Sequence, residues 1–130
     1  MNVKGRCLVR GRAEGELLPS MQPFSFLGGI DPRTGTVRDT AHELCGVGLK
    51  GKILALPNTV GSSVGAYVLY GIARKGLGPA GIVTGVGDIN LVSGCAAAGI
   101  PLLAGVDIGP LVGYKGSRAM LDCDGGTLSV

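Results

Sequence analysis

The stretch with the clearest chemical potential is a short run of glycine and serine behind an apolar segment. Gly61-Ser62-Ser63 follows Leu54-Ala55-Leu56-Pro57 at a short distance and leads into helix-forming residues. A turn from a buried strand into a helix collects unpaired backbone N–H groups and the positive end of the helix dipole, which favour a phosphate or a carboxylate. The same helix dipole and N–H groups stabilise the negative charge on a serine oxygen that has lost its proton. The alternative is that Ser62 or Ser63 only caps the helix. We interpret the stretch neither as a P-loop, whose Lys-Ser/Thr ending is missing, nor as a nucleophile elbow, because we take its serine to be the second residue of Gly61-Ser62-Ser63-Val64-Gly65 and not the third.

The single histidine, His42, is a second candidate. It lies in a polar segment three residues after Asp39, and such a pair can act as acid and base or contribute a ligand. We therefore take His42 as a candidate substrate-binding residue, with a purely structural histidine as the alternative. Cys45 lies near it, but no second cysteine is close to either, and Asp31 and Asp124 stand in sequences typical of turns. The chain by itself is not expected to build a metal site or an iron–sulfur cluster site.

The four cysteines are widely spaced and form no Cys-x-x-Cys pair. The sequence starts without the long apolar segment of a secretion signal, so we expect a cytoplasmic protein. In that setting widely spaced cysteines are typical of buried thiols that pack as small apolar residues. The four are Cys7, Cys45, Cys95 and Cys123.

The elements that must position the Gly-Ser-Ser stretch form a predicted strand–helix–strand unit. Residues 52–56 form an apolar run that ends at Pro57, as in a strand buried on both faces. A helix is predicted from Ser62-Ser63 to about Gly76, with Val64, Tyr67, Val68 and Ile72 at helical spacing. Further strands are predicted over 81–84 and 101–106, with a second helix over 89–98.

The two ends of the chain are predicted to be β-structure. Strands are expected over 5–9 and 15–18 around a turn at Gly11, and a hairpin over 117–130 around Asp124-Gly125-Gly126. Residues 22–30 are expected to be extended, because Phe24 and Phe26 stand at alternate positions. The basic residues between Lys4 and Arg12 alternate with apolar ones, which predicts a solvated strand face.

Composition sets the limits of these predictions. The chain has 130 residues, 45% of them apolar and 16% charged, with a mean hydropathy of +0.41. This balance excludes a disordered chain and fits one domain, which we place at 1–130. The 25 glycines show no Gly-X-Y period, so collagen is excluded. A net charge of +3 with scattered basic residues argues against nucleic-acid binding, and the uncharged runs are too interrupted by Pro, Asn and Gly to span a membrane.

An ordered series of motifs points to one family. Phe24-Ser25-Phe26-Leu27-Gly28-Gly29-Ile30-Asp31-Pro32 and Thr34-Gly35 are followed by Asp39-x-x-His42, Gly51-Lys52-Ile53-Leu54, Pro57, Gly61-Ser62-Ser63, Tyr67-Val68-Leu69 and Pro79-Ala80. This series resembles the small-subunit family of aconitase X proteins, and the resemblance covers about residues 5 to 110. The resemblance implies a swivelling β/β/α domain, an α/β fold with a barrel-like β framework flanked by a few helices.

The resemblance also implies a function. The family's small domain closes over the substrate beside a large subunit that holds a [4Fe–4S] cluster, and this chain would hold none itself. The first serine of the Gly-Ser-Ser motif is the family's catalytic serine and matches Ser62, which would accept the α-proton of a hydroxy acid. Gly61 and Ser63 would help to bind the anionic substrate, and the cluster on the partner would act as Lewis acid for the departing hydroxyl.

Three hypotheses about the activity follow. The first is a hydro-lyase subunit that, with its large subunit, dehydrates mevalonate 5-phosphate to trans-anhydromevalonate 5-phosphate in an archaeal mevalonate route to isoprenoids. The second is the same chemistry on cis-3-hydroxy-L-proline or another small hydroxy acid. The third, from a different class, is a noncatalytic assembly module in which Ser62 merely caps a helix.

Overall fold

The computed structural model describes residues 1–130 as one closed β framework with helices on one side. The strands are β1 (Asn2–Lys4), β2 (Arg6–Val9), β3 (Arg12–Pro19), β4 (Ile30–Asp31), β5 (Thr36–Val37), β6 (Ile53–Leu56), β7 (Gly81–Thr84), β8 (Leu102–Ala104), β9 (Arg118–Asp122) and β10 (Thr127–Ser129). The helices are a short turn α1 (Phe26–Gly29), α2 (Ser63–Arg74), α3 (Ile89–Ala98) and a 3₁₀ helix (Gly109–Tyr114). None of these helices combines the length and the apolar character needed to cross a membrane.

Eight strands form one sheet in the order β1-β10-β9-β3-β6-β7-β8-β2. The central strands β3, β6, β7 and β8 are parallel, and the outer pairs are antiparallel. The two edge strands β1 and β2 are consecutive in the chain and only Gly5 separates them. The chain therefore pairs first with β10 and then with β8, which closes the sheet into a barrel. A Cβ at Gly5 would lie 2.5 Å from the carbonyl oxygen of Ala104, so the crossing point admits only glycine without a shift.

Side-chain alternation along the central strands creates two apolar cores. In β6, Ile53 and Ala55 point into the barrel, whereas Leu54 and Leu56 pack under the helices. All four are buried, as expected for a strand covered on both faces. This strand ends at the turn that carries the Gly-Ser-Ser stretch, so the site stands on a rigid base.

Most predicted elements are confirmed, including the strand–helix–strand unit, the second helix and the C-terminal hairpin. The prediction of an extended chain over 22–30 is wrong for α1. The chain turns at α1, before it enters β4. Phe24 and Phe26 are therefore both buried, and their rings meet edge to face with centroids 5.1 Å apart. The apolar stripe predicted for α2 is also partly wrong. Val64 and Tyr67 are exposed, whereas Ile72 is buried as predicted and Leu69, which the predicted stripe left out, is buried with it.

Candidate functional site around Ser62

Ser62 is the N-cap of α2. Its backbone is extended (φ −155°, ψ 155°), and its Oγ accepts a hydrogen bond of 2.9 Å from the backbone N–H of Gly65. Its carbonyl accepts the first intrahelical bond from Ala66. The serine is half-buried, so its hydroxyl is held in place yet reachable.

Four consecutive N–H groups around this hydroxyl have no acceptor within the chain, those of Gly61, Ser62, Ser63 and Val64. They add to the positive end of α2, whose first turn contains no acidic residue. An anion placed here would meet several donors at once. The arrangement fits the carboxylate or phosphate site predicted from the sequence.

Gly61 and Ser62 line one small pocket, and Ser63 lines a neighbouring groove. Phe26 from α1 and Asn90 from α3 complete the pocket around Ser62, together with Thr59, Val60, Gly65, Ala66, Leu69 and Leu91. Ser63 faces the groove between α2 and α3 beside Tyr67 and Tyr70. The two serines thus serve adjoining spaces on one surface.

Asp88 ties the Ser62 loop to the next strand–helix turn. Its Oδ2 accepts 2.7 Å from the Thr59 hydroxyl, and its Oδ1 accepts from the N–H groups of Asn90 and Leu91 at 2.9 and 3.0 Å. The Pro57 carbonyl forms a second link between the two turns, because it accepts hydrogen bonds from the N–H groups of Gly85 and Val86. The carboxylate is therefore both the N-cap of α3 and a brace for the turn before Ser62.

Gly61 passes directly against this brace. A Cβ at Gly61 would lie 2.7 Å from Asp88 Oδ1 and 3.3 Å from Asn90 Nδ2. Thr59, Asp88 and Asn90 were not predicted from the sequence to be parts of the site. The available signal was the position of Asp88 immediately before a predicted helix, where an aspartate favours an N-cap.

His42 lies outside the Ser62 pocket. It is buried, its Nδ1 accepts 3.1 Å from the Leu44 N–H, and its Nε2 lies 3.4 Å from the Gln22 carbonyl. These contacts match the neutral tautomer with the proton on Nε2. Its ring packs edge to face on Phe24, with centroids 5.4 Å apart. Both nitrogens contact backbone groups, one in the His42 loop and one in the separate segment of Gln22, which favours the structural alternative for this residue.

The serine pair is not part of a hydrolase triad. The rejection of a nucleophile elbow on residue order was wrong, because Ser63 occupies the third position of Gly61-Ser62-Ser63-Val64-Gly65, as Gly-x-Ser-x-Gly requires. A Ser-His-Asp triad needs a histidine in hydrogen-bond reach of the serine, but the single histidine uses its nitrogens on Leu44 and Gln22. The free N–H groups and the oriented Ser62 hydroxyl are suited to anion binding and to proton transfer.

The cysteines lie apart from the Ser62 pocket. Cys95 is buried in α3, and burial, with a smaller contribution from the charge of Asp88, raises the pKa of its thiol to about 12. Cys123 is buried and Cys7 is half-buried, but the prediction of a buried thiol is wrong for Cys45, which is exposed in the loop after His42. No three His, Cys, Asp or Glu side chains lie close enough together to hold a metal ion.

Comparison with known proteins agrees with this architecture. The family model described as the aconitase X swivel domain matches residues 2–130. The chain belongs to the aconitase X swivel-domain family. The resemblance and the fold class predicted from the sequence are both confirmed.

Relatives and solved structures support the assignment over the full chain. The phosphomevalonate dehydratase small subunit of Thermococcus onnurineus is 42% identical over 130 residues, covering 100% of this chain and 98% of that protein. The one from Pyrococcus furiosus is 43% identical, with 100% and 96% covered. The crystal structure of Thermococcus kodakaraensis aconitase X in its holo-form superimposes with a TM-score of 0.94 at 38% identity, covering 99% of this chain and 97% of that one.

Proposed function

We propose that this chain is the small subunit of a phosphomevalonate dehydratase, a hydro-lyase that removes water from mevalonate 5-phosphate together with a large subunit. The observation that carries the proposal is the placement of Ser62 as N-cap of α2 in a pocket with free backbone donors. Relatives that bear this name match the chain from end to end.

Ser62 is the proposed proton acceptor. Loss of water from a β-hydroxy acid requires a base for the proton on the α-carbon. A free serine hydroxyl is far too weakly acidic for this role, so its oxyanion must be stabilised. The Gly65 N–H already points at Oγ from 2.9 Å, and a hydrogen bond to a charged oxygen is about twice as strong as one to a neutral oxygen. The helix dipole acts in the same direction.

The free N–H groups and Ser63 are the proposed anion contacts. A phosphorylated hydroxy acid carries two anionic groups, and the surface offers two adjoining spaces, one at Gly61 and Ser62 and one at Ser63. Backbone amides hold such groups without a mobile side chain. The carboxylate of the substrate is proposed to lie nearest Ser62, because this carboxylate is bonded to the α-carbon whose proton Ser62 removes. His42 is left out of this proposed set, because both of its ring nitrogens contact backbone groups, the N–H of Leu44 and the carbonyl of Gln22.

The large subunit is proposed to cover this face. Four large apolar side chains around the site are exposed, Leu27, Val60, Val64 and Tyr67, with 49%, 61%, 51% and 76% of their surface accessible. A concentration of exposed apolar side chains beside a polar pocket is typical of an interaction surface. The family resemblance implies that the large subunit holds the [4Fe–4S] cluster. Covering the pocket would also exclude water and so strengthen every charge interaction of Ser62.

The test is anaerobic reconstitution with the large subunit, followed by an assay of water loss from mevalonate 5-phosphate. Ser62→Ala and Ser62→Asn are compared, because asparagine keeps the helix cap but has no hydroxyl. We expect both variants to lose turnover by about a hundredfold or more, the range of one acid–base group. Only Ser62→Ala should lose stability, by about 1 kcal/mol.

Two further variants separate the roles. Ser63→Ala is expected to raise KM more than it lowers kcat, and Ser129→Ala, at an exposed serine of β10, is the matched control without effect. Full turnover by Ser62→Ala would contradict the proposed base. Full turnover by Ser62→Asn with loss only in Ser62→Ala would reduce Ser62 to a cap, as in a noncatalytic module. Turnover of cis-3-hydroxy-L-proline instead of mevalonate 5-phosphate would keep the mechanism and replace the substrate.

A further inference from the structure

Two cysteines meet inside the barrel, and neither of them lines the Ser62 pocket. The Sγ atoms of Cys7 in β2 and Cys123, directly after β9, lie 2.7 Å apart, although the residues are 116 positions apart in the chain. This separation is shorter than van der Waals contact between two sulfur atoms. Cys123 is fully buried and Cys7 is half-buried against the same apolar core.

The backbone on both sides of Cys7 is fixed to the hairpin that carries Cys123. Before Cys7, the Gly5 N–H donates to the Gly126 carbonyl at 2.9 Å. After it, the Gly11 N–H donates to Asp124 Oδ1 at 2.9 Å, and the Gly11 carbonyl accepts from the Cys123 N–H at 3.0 Å. The two sulfur atoms are thus held together by contacts that do not involve sulfur.

The pair is chemically asymmetric. Cys123 Sγ also lies 3.1 Å from the Leu102 carbonyl oxygen, and burial together with the neighbouring Cys7 raises the pKa of the Cys123 thiol to about 12. Cys7 is the member that solvent can reach. An oxidant would therefore meet Cys7 first, with Cys123 in place as the resolving thiol.

We propose that Cys7 and Cys123 form an intramolecular disulfide that closes the barrel covalently when the protein meets a peroxide. The Cys7 sulfur attacks hydrogen peroxide, the O–O bond breaks, and a sulfenic acid and one water form. The Cys123 sulfur then attacks the sulfenic sulfur, and the hydroxyl leaves with the Cys123 proton as a second water. The two thiols lose two electrons in total, and the peroxide gains them.

The bond would lock the strand that closes the barrel. β2 pairs with β8 along one edge, and the flanking hydrogen bonds of Gly5 and Gly11 join its two ends to the β9–β10 hairpin. A cross-link between distant positions removes a large part of the freedom of the unfolded chain. For a domain of this size we expect the melting temperature to rise by roughly 10 °C on oxidation and to return on reduction.

The experiment uses the full chain alone and does not depend on the proposed dehydratase activity. The fully reduced protein, with four thiols, is treated with hydrogen peroxide, denatured, and its thiols are counted. We expect two thiols to disappear, the intact mass to fall by about 2 Da, and a Cys7–Cys123 peptide to appear under non-reducing digestion. The melting temperature should rise with the same dependence on peroxide.

Matched variants make the result specific. Cys45→Ser removes the exposed thiol and should leave the disulfide and the melting shift intact, whereas Cys7→Ser should abolish both. Cys7→Ser changes a half-buried site, so it tests the proposal even if Cys123→Ser fails to fold. Retention of four thiols would overturn the inference. So would a mass gain of about 32 Da on Cys7, which marks sulfinic acid, or cross-linking only through Cys45 between two chains.

Discussion

Replacement of Gly61 by alanine tests whether Asp88 sets the position of the Ser62 loop. The new Cβ would lie 2.7 Å from Asp88 Oδ1 and 3.0 Å from its Cγ. The carboxylate cannot yield freely, because the Thr59 hydroxyl and two N–H groups of α3 hold it. The backbone of Gly61 is not in the left-handed region, so contact with Asp88 is the main expected cost.

The magnitude follows from what Asp88 must release. If the carboxylate rotates away, α3 loses its cap, at about 0.5–2 kcal/mol. The Thr59 hydroxyl also loses a charged acceptor, a bond of about 1.5–3 kcal/mol. Because the loop can relax in part, we expect Gly61→Ala to lower the free energy of unfolding by about 2–4 kcal/mol. Urea denaturation of the full chain measures this change.

Two comparisons make the test strict. Gly71→Ala adds the same methyl group to α2 where no atom lies within 4 Å, and it should stabilise the chain by about 0.5–1 kcal/mol. In an Asp88→Ala background the obstacle is gone, so Gly61→Ala should cost at least 1 kcal/mol less than in the wild-type chain, which is a coupling expected for contacting residues. An equal cost in both backgrounds would refute the brace.

Two further predictions concern buried groups. Burial raises the pKa of Cys95 from near 9.0 to about 12, so the folded chain keeps this proton where the unfolded chain loses it, and stability falls as the pH rises from 9 to 12. Under reducing conditions, Cys95→Ala should make the free energy of unfolding fall less steeply with pH, by up to about 1.4 kcal/mol per pH unit. The control Cys45→Ser should leave this slope unchanged. Equal slopes in the wild-type chain and in Cys95→Ala would contradict the assignment of the pKa shift to Cys95. His42→Ala leaves the Leu44 N–H and the Gln22 carbonyl without partners and should cost about 2–4 kcal/mol of stability, measured by thermal unfolding. KM of the reconstituted enzyme should stay unchanged, whereas a raised KM at unchanged stability would return His42 to the substrate site.

Local signals in the sequence were sufficient for the elements around the site. Serine before an apolar periodic segment, with Arg74 and Lys75 at its end, predicts α2 correctly, and the run ending at Pro57 predicts β6. These patterns depend on hydrogen bonds and burial within a few residues. The position of Ser62 at the N-terminus of α2 could therefore be predicted without any knowledge of the remaining fold.

Contacts between distant segments could not be predicted in the same way. Alternating Phe24 and Phe26 fit an extended strand as well as the observed turn, and only the packing of one ring on the other decides between them. The link from Thr59 to Asp88 joins two separate loops, and no periodicity encodes it. The meeting of Cys7 with the end of β9 depends on closure of the whole barrel.

Closure of the barrel by the first strands sets an order of events during synthesis. Asn2 pairs with Ser129 and Arg6 with Ala104, so β1 and β2 leave the ribosome long before their partners exist. Until then both carry open hydrogen-bonding edges, which invite pairing with other chains. The exposed basic residues that alternate along this stretch, Lys4, Arg6, Arg10 and Arg12, repel such pairing. The charge pattern at the start of the chain thus protects the nascent protein through the interval in which it must wait to fold.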